Sequence, residues 1–140
     1  MLATMRVMAL DYGTRRVGVA ISDALGVLAR PLGSLPAQPF PELVAALQRL
    51  IQEHEVERII VGLPRNMNGT YGPAAAAVQT WVAELQPHLP VPVMLWDERL
   101  TTVQAHRRLR EAGHSERKRR QRVDSSAAAI LLQSYLDRVA

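Results

Sequence analysis

Apolar residues fall in short blocks along this chain, and the spacing inside each block separates strands from helices. Arg6-Val7-Met8-Ala9-Leu10 closes on Asp11, a glycine-punctuated turn follows, and Val17-Gly18-Val19-Ala20-Ile21 resumes the apolar pattern. Together with a short run around Val27 to Ala29, these blocks predict three strands, Arg6 to Tyr12, Val17 to Ser22 and the third run. Their short connections make them an antiparallel meander. The stretch from Pro31 to Pro41, with Pro36 and Pro39 inside it, reads as a surface connector. Beyond it Leu43, Leu47, Leu50 and Ile51 recur at helical spacing and predict one amphipathic helix. After Arg58, the run Ile59-Ile60-Val61-Gly62-Leu63 is apolar without a break until Pro64. That is the pattern of a strand buried on both faces among parallel neighbours.

The polar residues from Arg65 to Gly72 form a loop at the carboxyl end of that strand, where open sheets flanked by helices place their ligands. Pro73 suits a first helical position, and Ala74 to Leu85 continues a helix that is mostly apolar on one side. Pro87, Pro90 and Pro92 bracket the next turn before a strand from Val91 to Trp96, which delivers Asp97 and Glu98. Thr101 and Gln104 have capping-box spacing, so a helix is expected from Thr101 to about Ala112, where Gly113 stops it. A last helix runs from Asp124 to about Arg138, with Asp124 in its first turn. No repeat, low-complexity segment or domain boundary interrupts the chain, so residues 1–140 are expected to form one domain. The expected fold is α/β, a mixed five-stranded sheet of three antiparallel strands followed by parallel ones, flanked by helices. This is the element order of an RNase H-like domain. Its first strand should lie centrally, beside the strand that follows the first long helix.

Composition narrows the setting. No stretch approaches the roughly 20 consecutive apolar residues of a membrane span. Met1 to Met5 lacks the apolar core and cleavage site of a signal peptide, so a cytoplasmic protein without membrane attachment is expected. With no cysteine, any metal must be held by oxygen or imidazole. The formal charge of +4 is unevenly spread. Between Arg107 and Arg122 stand seven arginines and Lys118, the only lysine, against Glu111 and Glu116. Such a cluster is the footprint of a phosphate-backbone partner, although a solvated loop of arginines has the same composition.

The acidic residues carry the chemistry. Asp11, Glu98 and Asp124 are distant in sequence, yet each falls at a strand end or a helix start. A carboxylate at the end of a good strand is a local misfit of the kind that function imposes. Phosphodiester hydrolysis brings an anionic nucleophile to an anionic phosphate, so it calls for divalent cations held by carboxylates. Mg2+ or Mn2+ fits oxygen ligands, and three carboxylates with substrate oxygens suit two ions about 3.5 to 4 Å apart, Asp11 bridging them. Each acid also has a plain structural reading: Asp11 as a turn former, Asp124 as a helix cap, and Asp97 or Glu98 as a partner of Arg99. Strand alternation allows only one of Asp97 and Glu98 to face a given site. Arg15, Arg16 and Asn68 are candidate nucleic-acid contacts, as are Arg117, Lys118, Arg119, Arg120 and Arg122 of the basic loop. His54, His88, His106 and His114 have no metal-ligand spacing.

Four segments match a known pattern in order. They are Asp11-Tyr12-Gly13-Thr14-Arg15-Arg16-Val17-Gly18, Val61-Gly62-Leu63-Pro64 with Asn68-Gly69, Asp97-Glu98-Arg99-Leu100-Thr101-Thr102, and Asp124-Ser125-Ser126-Ala127-Ala128. This series is similar to the motifs of the YqgF/RuvX family over nearly the whole chain. The resemblance implies an RNase H-like nuclease, with Asp11, Glu98 and Asp124 as catalytic, metal-holding carboxylates, and it selects Glu98 over Asp97. It leaves two substrates open, Holliday junction DNA and the 5′ end of pre-16S rRNA. Symmetric cutting of a four-way junction would require two active sites and hence a homodimer. Two rivals stand beside this reading. One is a catalytically silent nucleic-acid-binding module. The other is a fragment of an actin-like ATPase, which Asp11-x-Gly13-Thr14 resembles but which needs a second lobe absent from this chain.

Overall fold

The computed structural model describes residues 6–66, 68–100, 105, 107, 109, 110 and 123–139, and for 123–126 the backbone alone. Its strands are β1 (Val7–Asp11), β2 (Arg16–Ser22), β3 (Ala29–Pro36), β4 (Arg58–Leu63) and β5 (Val93–Asp97). Its long helices are α1 (Phe40–Glu53), α2 (Pro73–Leu85) and α3 (Val123–Val139), with short 3-10 turns at Gln86–His88 and Glu98–Leu100. Residues 105, 107, 109 and 110 are helical. The remainder of the helix expected there, with the Thr101 and Gln104 capping pair, lies outside the described residues. Among the described residues, no helix is long and apolar enough to cross a membrane.

The strands form one mixed sheet in the order β3-β2-β1-β4-β5. β1 is central, antiparallel to β2 (Leu10 opposite Val19) and parallel to β4 (Leu10 opposite Val61), and β5 continues in parallel with Leu95 opposite Val61. One expectation needs correction. The third strand does not lie around Val27 to Ala29, because residues 23–28 form the turn: Asp23 accepts a hydrogen bond from the Val27 amide at 2.8 Å, and its own amide donates to Leu28. The strand begins at Ala29 and runs to Pro36, so that most of it lies in the stretch from Pro31 expected to be a connector. Its prolines are tolerated because β3 is an edge strand, which bonds a neighbour on one side only.

Strand alternation splits the core into two layers. Met8 and Leu10 of β1 join Val19, Ile59 and Val61 beneath α1 and α2, whereas Val7 and Ala9 join Ala20 and Ile60 beneath α3. In α1 the helical spacing buries Leu43, Leu47 and Ile51 almost fully. Burying each such side chain contributes about 1.5 to 3 kcal/mol. Trp81 of α2 is core, with its ring 4.7 Å from that of Tyr12. On the other face α3 buries Ala128, Leu131, Leu132, Tyr135 and Leu136.

Candidate active site

The face on which a strand-end carboxylate emerges follows from the same alternation. Val7 and Ala9 face α3, so Asp11, two residues on, emerges on that side. In β4 Ile60 faces α3, and so does Gly62, which pairs with Trp96 of β5 and comes level with Asp11 one step beyond the Leu10–Val61 pair. Trp96 also faces α3, where its ring stands edge-on to Tyr135 at 5.1 Å. Asp97, the last residue of β5, has the opposite parity to Trp96, and Glu98, at the start of the 3-10 turn, comes back onto Gly62 on the Asp11 side.

Gly62 is the residue between the two carboxylates. A Cβ built on it would lie 2.6 Å from Glu98 Oε1, 3.0 Å from Cγ and 3.2 Å from Cδ. The Glu98 side chain thus lies across the bare backbone of β4 and meets the field of Asp11. Burial pushes the Asp11 carboxyl above its ordinary range. Burial, then the Asp11 charge, then that of Asp97, push Glu98 up as well. Two partly desolvated carboxylates that disfavour each other's charge are suited to sharing a hard divalent cation, so their oxygen donors fit Mg2+ or Mn2+. Among the described residues no third acidic or histidine side chain completes the group.

Asp97 has the opposite environment. Arg99 bonds it through its backbone amide at 2.9 Å and through Nη2 at 2.9 Å, and Arg65 Nη1 reaches it at 3.3 Å. The hydrogen bonds from Arg99, with that from Arg65, hold its carboxyl below the usual range. Neighbours in sequence are therefore divided in role: Glu98 joins Asp11, while Asp97 binds arginines.

The direction of α3 locates the first turn that contains Asp124. Gln133 bonds the Ala29 amide and the Val27 carbonyl, both 2.9 Å, and the Tyr135 hydroxyl accepts from Arg58 at 2.6 Å. Those contacts lie at the starts of β3 and β4. The helix consequently runs against β1 and β4, and its first turn lies toward their carboxyl ends, where Asp11 stands; the Asp124 side chain is outside the described residues.

The basic candidates are more scattered. Arg16 is turned along the sheet to β3, where Nε donates to Ser34 Oγ at 2.7 Å. Arg15 is exposed in the β1–β2 turn. Asn68 is exposed, and its Oδ1 accepts from Thr70 N at 3.1 Å and from Thr70 Oγ1 at 2.6 Å, which shapes the loop after β4. Arg117, Lys118, Arg119, Arg120 and Arg122 lie outside the described residues. Sequence reasoning assigned no role to Gly62 or Arg65. A glycine within an otherwise unbroken apolar strand was the available signal for the first, since it marks close approach of another group. Arg65 carried no signal.

Comparison with known proteins establishes the family and the fold. The RuvX family model, described as Holliday junction resolvase, matches residues 5–138. A relative from Moorella thermoacetica, named "Putative pre-16S rRNA nuclease", is 49% identical over 135 residues and covers 96% of each chain. T. thermophilus RuvC in complex with Holliday junction substrate is similar with a TM-score of 0.57 at 16% identity, over 97% of each chain. The Fowlpox virus resolvase in its complex with Holliday junction DNA gives 0.55 at 12% identity, over 96% of this chain and 99% of that one. At such identities the likeness is one of fold, and the fold is RNase H-like. With a family model spanning almost the full length and a relative of equal length sharing nearly half its residues, the chain belongs to the RuvX family, a family of nucleases.

Proposed function

We propose that this chain is a divalent-metal-dependent nuclease that hydrolyses phosphodiester bonds in structured nucleic acid, with pre-16S rRNA as its first-choice substrate and four-way junction DNA as the alternative. The observation that carries the reading is the meeting of Asp11 and Glu98 on one sheet face across Gly62. The rRNA preference rests on the name of the full-length Moorella relative, and the junction alternative on the family description. Asp11 and Glu98 would hold the metal, joined by Asp124 from the first turn of α3. When bound, divalent ions neutralise phosphate charge, lower the pKa of the attacking water and stabilise the leaving oxygen. Asp11 and Glu98 contribute the oxygen donors, brought to one face of the sheet at the ends of β1 and β5. The loop Arg117, Lys118, Arg119, Arg120 and Arg122, with Arg15, holds the backbone, so affinity should fall steeply as salt rises. The chain acts as one domain, and as a homodimer if junctions are cut symmetrically.

The test offers labelled pre-16S rRNA and four-way DNA junctions side by side to wild-type and Asp11→Asn protein, with Mg2+ or Mn2+. Cleavage by the wild type alone, with binding kept or tightened in the variant, supports the nuclease and names its substrate. Binding of both without cleavage of either would leave the silent binding module as the better account.

A further inference from the structure

Beside the carboxylates lies a second arrangement that the hydrolytic reading does not use. The loop after β4 is tied to itself: the Asn66 amide donates to Thr70 O at 2.9 Å, the Gly69 amide to Asn66 O at 2.9 Å, and Asn66 Nδ2 to Thr70 Oγ1 at 2.9 Å. Arg65 reinforces it, with Nε and Nη2 both donating to the Gly69 carbonyl. Its remaining terminal nitrogen reaches Asp97, so the loop is fastened to the end of β5, one residue from Glu98. The Tyr71 ring lies under this guanidinium, 4.5 Å from Cζ to the ring centroid, and the residue is still 54% exposed.

Two guanidinium groups share the single carboxylate of Asp97. The cluster therefore keeps one surplus positive charge next to an acidic site, and the Arg99 side chain is 41% exposed. Arg99 spends Nε and Nη2 on Asp97, and among the described residues Nη1 makes no hydrogen bond. Fastening the loop needs only Arg65. Exposed ion pairs contribute little to stability, so a second arginine on the same carboxylate has no evident structural purpose. An oriented, partly exposed guanidinium with a donor to spare is a phosphate contact. A tyrosine with one face backed by a cation and more than half of its surface exposed is a stacking platform, and only an unpaired base has a free π-face to offer it.

We infer that Arg99 and Tyr71 form a subsite for one unpaired nucleotide flanking the cleaved bond, Arg99 taking its phosphate and Tyr71 its base, with Asp97 and Arg65 as positioning residues. The inference rests on the nuclease reading and deepens it, because it specifies a single-stranded flank as part of the substrate.

Binding without cleavage tests it. A labelled single-stranded RNA 12-mer and a blunt RNA duplex of equal length are titrated in EDTA at several NaCl concentrations against wild type, Tyr71→Leu, Tyr71→Phe and Arg99→Gln, with melting temperatures recorded for each. Tyr71→Leu should weaken single-strand binding about tenfold and leave duplex binding unchanged, whereas Tyr71→Phe, which keeps the ring, should bind as wild type. Arg99→Gln should reduce the salt dependence of single-strand binding by about 0.7 in the log–log slope. A merely structural role would lower melting temperature and both affinities together. Wild-type binding of single strand that Tyr71→Leu matches, or that Tyr71→Phe loses, overturns the subsite and leaves the nuclease standing, as does wild-type binding of duplex alone. Failure of the wild type to bind either RNA and the four-way junction overturns the nuclease reading, and the subsite falls with it.

Discussion

Gly62→Ala isolates the geometry of the carboxylate pair from the stability of the sheet. The new methyl group would lie 2.6 Å from Glu98 Oε1, where ordinary van der Waals contact begins at 3.4 Å. The oxygen must therefore retreat by about 0.8 Å, and Cγ and Cδ, at 3.0 and 3.2 Å, must shift with it. The obstructing atoms belong to the end of a flexible side chain, so the backbone can stay in place. Gly62 adopts an ordinary strand conformation, and alanine there removes the entropic penalty of a strand glycine, about 0.5 to 1 kcal/mol. Stability should be unchanged or slightly higher. Catalysis should not: a displacement near 1 Å in a catalytic group costs on the order of 100-fold. The expected outcome is a fall in single-turnover cleavage rate of roughly 10- to 100-fold at saturating metal, with an unaltered melting transition. A rate within twofold of wild type, or a rate loss matched by loss of folded protein, would refute the placement of Glu98 as a working group across Gly62.

Other consequences follow from the same contacts. Because burial raises the Asp11 carboxyl above its ordinary 3.8, the native state holds that proton more tightly than the unfolded chain does. Native stability is thus lost as pH rises from that ordinary value through the raised one. In metal-free buffer Asp11→Asn should melt higher than wild type at about pH 7 and close to it at about pH 3; a gap that does not widen with pH would contradict the burial argument. Adding Mg2+ should raise the melting temperature of wild type and leave Asp11→Asn unmoved, because only a folded state that binds the ion is stabilised. Tyr135→Phe removes the 2.6 Å bond to Arg58, whose buried Nε has no partner among the described residues, and should cost about 1 to 3 kcal/mol in urea denaturation; no change in the midpoint would show that the guanidinium finds another acceptor. Gln133→Leu orphans the Ala29 amide and should cost about 1 to 3 kcal/mol, with faster hydrogen exchange at Ala29 as its local signature.

Much of the scaffold is written in short-range pattern. The unbroken apolar run of β4, the four-residue spacing of Leu43 and Leu47 and the proline at the head of α2 each specify a local conformation through burial or a constrained φ. These elements lie close to where the sequence predicts them. Asp11 was legible as a candidate for the same reason, being a charge at the end of an apolar strand. What pattern could not settle depended on neighbours. Prolines between residues 31 and 36 look like linker until β3 is known to be an edge, where one side of the ladder asks for no donor. Asp97 and Glu98 are chemically near equivalent, and alternation says that they part company without saying which way. That was decided by the sheet order, which sets β4 between β1 and β5, and by Arg65, which claims Asp97 from a loop 32 residues away in sequence. Gly62 likewise has meaning only once Asp11 and Glu98 flank it. Local sequence determines which backbone a segment prefers, whereas the pairing of charges and the space left for a carboxylate arise only when distant segments are packed together.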